Sequence, residues 1–158
     1  MNAALTLDFS PAPSTAAQVF SLPGMFPSTT RMWLDPHGGI AFLWRDEPPA
    51  PVLLSCHLTP SGVRVLSVLL HAYPQSCSFE QLFRGLYPTG AEPMGSWNPQ
   101  VGLRPIRRAI WSLLPPMRAF GLTIVSLRNR GYLLTALENV PVASMFKDAH
   151  INRWEVSR

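Results

Sequence analysis

Seventeen prolines stand in this 158-residue chain, about twice the usual share, and they constrain its fold more than any other feature. Proline fixes φ, lacks an amide hydrogen and is excluded from mid-sheet positions, so a chain punctuated this way builds short elements with firm stops. Directly after a capping residue, however, proline marks the start of a helix. Thr59-Pro60 and Asn98-Pro99 both have that form. The first 27 residues, MNAALTLDFSPAPSTAAQVFSLPGMFP, hold no sustained period and predict a flexible N-terminal arm over 1–27. The alternative is that Val19, Phe20, Leu22, Met25 and Phe26 dock as an extended peptide, on the rest of the chain or on a partner.

From Thr30 to His57 the pattern is that of strands. Met32 and Leu34 alternate ahead of Asp35-Pro36-His37-Gly38-Gly39, a turn sequence; Ile40 to Trp44 reads as a second strand and Val52-Leu53-Leu54 as a third. After Leu58 the period becomes helical. Val63, Leu66, Leu69 and Leu70 form a stripe behind the Thr59 cap, and Pro74 ends the helix. Ser78 caps a second helix with Phe79, Leu82, Phe83 and Leu86 facing inward. A Gly/Pro-rich connection, YPTGAEPMGSW, leads to a third helix starting at Asn98-Pro99. Its apolar side is expected from Val101, Leu103, Ile106, Ile110 and Leu113, with Pro115-Pro116 as its stop. Leu122 to Leu127 and Gly131 to Leu134 then read as two strands joined by Arg128-Asn129-Arg130, where Asn tolerates the positive φ of a tight hairpin. The expected fold class is α+β: a small N-terminal antiparallel sheet, three helices and a C-terminal β-hairpin. Trp33, Trp44, Trp111 and Phe120 are assigned to the core or its edge. The stretch after Leu137 forms a C-terminal tail (138–158), in which Val142, Met145, Phe146, Ile151 and Trp154 are spaced for a short amphipathic helix.

The net charge of +4 is modest, but its distribution is uneven. From Leu58 to Thr135 there are eight arginines against Glu80 and Glu92, a net of +6, while the remainder of the chain is net −2. Arginine forks onto phosphate and guanine, so this asymmetry points to an anionic partner, nucleic acid first. Cys56 and Cys77 lack metal-ligand spacing and read as reduced thiols at the edge of the core, with a disulfide or a metal site as the alternative. His57 and His71 are isolated, so no metal site or cofactor is expected. The chain shows no apolar run of membrane-spanning length and no secretory signal pattern, so a cytoplasmic protein without membrane attachment is expected. It also lacks a phosphate-cradling glycine loop, an HExxH helix and a nucleophile elbow, which argues against an enzyme.

Four stretches carry a family resemblance. LTPSGVRVLSVL from Leu58 resembles the opening helix of OmpR/PhoB-type winged helix-turn-helix domains, and SFEQL from Ser78 resembles the start of their second helix. LRPIRRAI from Leu103 falls on the recognition helix, and IVSLRNRGYLL, Ile124 to Leu134, is similar without a gap to the family's wing. The resemblance implies a winged helix over residues 28–137 and a transcription regulator that binds double-stranded DNA. Three features depart from the family. Gly62 replaces an acidic residue; Pro105 lies inside the recognition helix, where it should kink the helix or delay its start; and 57 preceding residues are too few for a receiver domain.

On this reading the helix from Pro99 to Leu114 enters the major groove. Arg104, Arg107 and Arg108, at i, i+3 and i+4, share its exposed face, while Gln100 and Asn98 near its start reach phosphates or bases. Arg128 and Arg130 on the wing reach the adjacent minor groove or backbone. Tyr132 is expected to pack on the helices. Met94 and Trp97, in the connection that often touches RNA polymerase in the family, are the candidate partner contact. A homodimer is expected, because one domain reading a few base pairs rarely binds tightly alone. The alternative is a winged-helix protein–protein adaptor that docks on a partner regulator or on RNA polymerase.

Overall fold

The computed structural model describes residues 17–46, 52–88 and 97–139. Strands β1 (Gln18–Phe20), β2 (Thr30–Asp35), β3 (Ile40–Arg45) and β4 (Val52–His57) form a four-stranded antiparallel sheet in sequence order. Helix α1 (Pro60–Ala72), strand β5 (Cys77–Ser78), helix α2 (Phe79–Leu86) and helix α3 (Pro99–Ala119) follow. Strands β6 (Leu122–Leu127) and β7 (Gly131–Ala136) make a hairpin that β5 extends to a three-stranded sheet, and a 3₁₀ turn occupies Leu137–Asn139. The protein is therefore α+β, with two antiparallel sheets and three helices among the described residues.

The N-terminal sheet owes its register to the turn after β2. Asp35 accepts hydrogen bonds at Oδ1 from the amides of His37 and Gly38, both at 3.1 Å. That turn pairs Leu34 with Ala41 and Met32 with Leu43, and all four are fully buried. They belong to one apolar cluster with Val63, Leu66 and Leu69 of α1 and with Ile106, Ile110 and Leu113 of α3. Trp33 and Trp44 are half-buried.

Within the expected arm, residues 17–27 are part of this fold rather than flexible. Val19 pairs with Trp33 and Phe20 with Met32, so β1 covers what would be an unpaired edge of β2. Leu22 is buried, Met25 and Phe26 pack on the core, and the Tyr73 hydroxyl donates to the Pro23 carbonyl at 2.6 Å. The docked-peptide alternative is thus the arrangement adopted. Residues 1–16 and the expected C-terminal helix lie outside the described residues.

The first two helices begin as the sequence reads. Thr59 Oγ1 accepts from the Gly62 amide at 3.0 Å. Ser78 and Gln81 cap one another reciprocally, at 3.1 and 2.8 Å. Gly62 has a packing reason in place of the expected acidic side chain. A Cβ there would lie 2.9 Å from Thr59 Oγ1 and 3.1 Å from Ser112 Oγ, two hydroxyls that hydrogen-bond α1 to α3 at 3.1 Å.

Helix α3 differs from expectation in three ways. It starts at Pro99, as its cap predicts, but Pro105 does not delay that start and Pro115-Pro116 do not stop it. An interior proline costs about 3 kcal/mol in a regular helix. Continuing past Pro116 buries Met117 and Phe120, at 0% and 1% exposure, and each fully buried side chain returns about 1.5–3 kcal/mol. Packing therefore offsets much of the cost of the two prolines, and the helix runs on until Gly121, whose φ of +81° ends it. The third difference is rotational. The buried stripe is Gly102, Ile106, Ala109, Ile110, Leu113, Leu114 and Met117, whereas Val101 is 36% exposed and Leu103 only half-buried. A side chain on Gly102 would run into the Trp97 ring and come within 3.0 Å of Phe83. The helix turns its smallest residue toward that stack, which carries Val101 outward.

Candidate nucleic-acid interface

The outward face of α3 is set by what its inward face needs. With the buried stripe fixed, 3.6 residues per turn bring Gln100, Arg104, Arg107 and Arg108 to the opposite side. All four are exposed. Together with Pro99, Leu103 and Trp111 they line a shallow groove of about 480 Å³ on a single helix face. The structure thus brings four of the expected site residues into one surface. Helix α3 carries no acidic residue, and none of these arginines takes part in an ion pair among the described residues, where Arg84 pairs with Glu80 at 2.8 Å. The face is an uncompensated cluster of donors with planar, forked geometry.

Asn98 has a local task. Its side chain accepts from the Gln100 amide at 2.9 Å as the helix cap, so its carbonyl oxygen is committed to the fold. It remains exposed at the end of the arginine face.

The hairpin positions the other two arginines. The Arg130 amide donates to the Leu127 carbonyl at 2.9 Å, and Asn129 takes φ +58°, the left-handed conformation anticipated for it. Arg128 and Arg130 are exposed on this tip. The hairpin is anchored at its base: Tyr132 is 4% exposed and meets Phe79 edge-on at 5.9 Å, as expected of a packing residue. Gly131 lies so close to the Cys77 carbonyl that any side chain would collide with it. Arg128 and Arg130 do not line the α3 groove; they form a separate basic point.

The expected partner contact is not reproduced by Trp97. Its ring packs against Phe83 at 5.3 Å and over Gly102, so it is half-buried and anchors the start of α3 to α2. Met94 lies outside the described residues.

Trp111 is the residue that sequence reasoning misplaced. Assigned to the core or its edge, it is 40% exposed and lines the arginine groove. The signal was available in the spacing: Trp111 follows Arg108 by three residues, Arg107 by four and Arg104 by seven, all steps that stay on one helix face.

Other reactive side chains are quiet. Burial pushes both the Cys56 and Cys77 thiols up to about 11, and at Cys56 a backbone hydrogen bond at Ala41 opposes the shift. Both are free cysteines. Among the described residues no three His, Cys, Asp or Glu side chains cluster as metal ligands, and no helix is long and apolar enough to cross a membrane.

No family model, curated protein or solved structure matches the chain.

Proposed function

We propose that the chain is a sequence-specific regulator of transcription that binds double-stranded DNA, built as an OmpR/PhoB-type winged helix. In this reading α3 enters the major groove and the β6–β7 hairpin is the wing. The observation that carries it is the outward face of α3, where Gln100, Arg104, Arg107 and Arg108 are exposed together on a helix without acidic residues. A solvated charged face normally mixes both signs; a face of one sign made of arginine suits guanine edges and phosphates. The order of sheet, three helices and basic-tipped hairpin, and the four sequence stretches that resemble the family, support the same reading. Arg128 and Arg130 then meet the adjacent backbone or minor groove.

The test is retention of sheared genomic DNA by the purified protein beside an Arg107→Ala/Arg108→Ala variant, followed by sequencing of what is retained. Sharp peaks sharing a motif, lost in the variant, are the expected result. Flat and equal recovery would remove the reading and leave a protein–protein adaptor in its place. A dimer on DNA is part of the proposal, and sedimentation showing one protomer per bound site would refute that part.

A further inference from the structure

The outward face of α3 is not uniformly polar. Only four large apolar side chains among the described residues are as exposed as Val101, at 36%, and Trp111, at 40%; these two share α3. Val101, Arg104, Arg108 and Trp111 stand at i, i+3, i+7 and i+10, so they form one stripe along the helix with the arginines in the middle and an apolar side chain at each end. Phosphate binding alone calls for no indole or isopropyl group at the two ends of this stripe.

Resting on the DNA-binding reading above, we infer that α3 recognises a site in which guanines are bracketed by thymines. In the major groove guanine offers the O6 and N7 acceptors that an arginine fork fits, while thymine offers a 5-methyl group that an apolar side chain covers. Arg104 and Arg108 take the guanines; Val101 and Trp111 lie against thymine methyls at the two ends. Ten residues at 1.5 Å each separate Val101 from Trp111, about 15 Å, the length of four to five base-pair steps. The bracketing thymines therefore stand about that far apart, on the same strand or on opposite strands.

The experiment uses the full chain. Duplexes are selected from a random pool, and the selected duplex is resynthesised with deoxyuridine in place of each thymine in turn, which deletes one methyl group and nothing else. For the wild-type protein, deoxyuridine at each bracketing position should weaken binding about four-fold, the factor that burial of one methyl group is worth. Trp111→Ala should weaken the parent duplex by at least as much and then ignore deoxyuridine at one bracketing position, whereas Val101→Ala should ignore it at the other. Affinities are compared at a temperature where thermal unfolding shows each variant fully folded, and Trp111→Phe should keep most of the affinity. Selection of a motif whose binding is blind to deoxyuridine overturns this inference alone. So does a Trp111→Ala variant with unchanged DNA affinity, the outcome expected if Trp111 instead seats a protein partner. A pool that yields no bound DNA overturns the DNA-binding reading, and this inference with it.

Discussion

Helices α1 and α3 begin alike. In each, a polar side chain (Thr59 in one, Asn98 in the other) accepts a hydrogen bond from a first-turn amide, and proline follows at the first helical position. Each then buries an apolar stripe in the same core. They part on their outward sides. The one arginine of α1, Arg64, is tied back by a hydrogen bond to the Leu86 carbonyl at 3.4 Å. Among the described residues the three outward arginines of α3 have no such anchor, and they share their face with Trp111. Caps and core stripes fix where a helix lies, and they constrain its outer face very little. That outer face is where two helices of one architecture become different surfaces.

The sharpest way to break this comparison is to strip both helices of their arginines. Arg107→Ala/Arg108→Ala should lower affinity for the selected DNA by about a hundredfold or more, since each good base pairing is worth about 1–3 kcal/mol. Its thermal unfolding should match wild type. Arg64→Ala should leave DNA affinity within about two-fold, because its guanidinium reaches back to the Leu86 carbonyl and lies off the outward face of α3. Fluorescence anisotropy on one duplex measures all three proteins. A loss from Arg64→Ala of half that of the double variant, in log affinity, would mean that net charge alone, and not the face of α3, governs binding.

Much of this was legible in the sequence, and the misses have one cause. Caps are local chemistry, so Thr59, Ser78 and Asn98 were readable from a few residues each. The Asp35 turn and the Asn129 tip were readable for the same reason. What failed depended on packing between distant elements. Pro115-Pro116 look like a stop until Met117 and Phe120 are found buried beyond them. Val101 looks like core until Gly102 is found turned against Trp97 and Phe83. That rotation also took Trp111 out of the core and gave it to the candidate site. Of the site itself, the arginine face followed from spacing alone, whereas Trp97, offered as an exposed contact, is a structural anchor.

Two glycines sharpen the comparison at the next level of effect. Gly102→Ala gains helix propensity of up to about 1 kcal/mol, but its methyl group meets the body of the Trp97 ring, and overpacking of this kind costs about 1–3 kcal/mol. The net expectation is a loss of stability, seen as a lower urea midpoint, with DNA affinity falling as α3 shifts. At Gly62 the nearest atoms are two hydroxyls at 2.9 and 3.1 Å, which are side-chain ends rather than the body of a ring, although the Ser112 hydroxyl is itself held by the Ala109 carbonyl at 2.7 Å. Propensity and crowding nearly cancel there, so Gly62→Ala should change stability by less than Gly102→Ala does. The reverse order would show that the Trp97 stack is looser than α1's contact with Ser112.

The caps give smaller and more equal effects. Thr59→Ala and Asn98→Ala should each cost about 1 kcal/mol of stability. If Asn98 serves only as a cap, DNA affinity in excess of unfolding should be the same for the two variants. A further loss specific to Asn98→Ala, measured at a temperature where both proteins are fully folded, would add its amide group to the proposed DNA face.

The least visible effect at neutral pH concerns Cys77, which seals α1 where the arginines leave α3 open. Its thiol is fully buried and donates to the Val68 carbonyl of α1 at 3.5 Å. Burial raises its pKa from 9.0 to about 11, so the fold favours the neutral thiol. The corresponding stability is present in full below pH 9 and is lost as pH rises from 9 toward 11. At pH 8 iodoacetamide should therefore modify Cys77 far more slowly in the native protein than in urea, because the thiolate is the nucleophile and the native state holds almost none. Between pH 9 and 11 the urea midpoint of the wild type should fall more steeply than that of Cys77→Ala, which has no such thiol to ionise. Rapid native alkylation at pH 8 would mean that the seam between α1 and β5 opens readily. The contrast between a sealed α1 and an exposed α3 would then be one of degree.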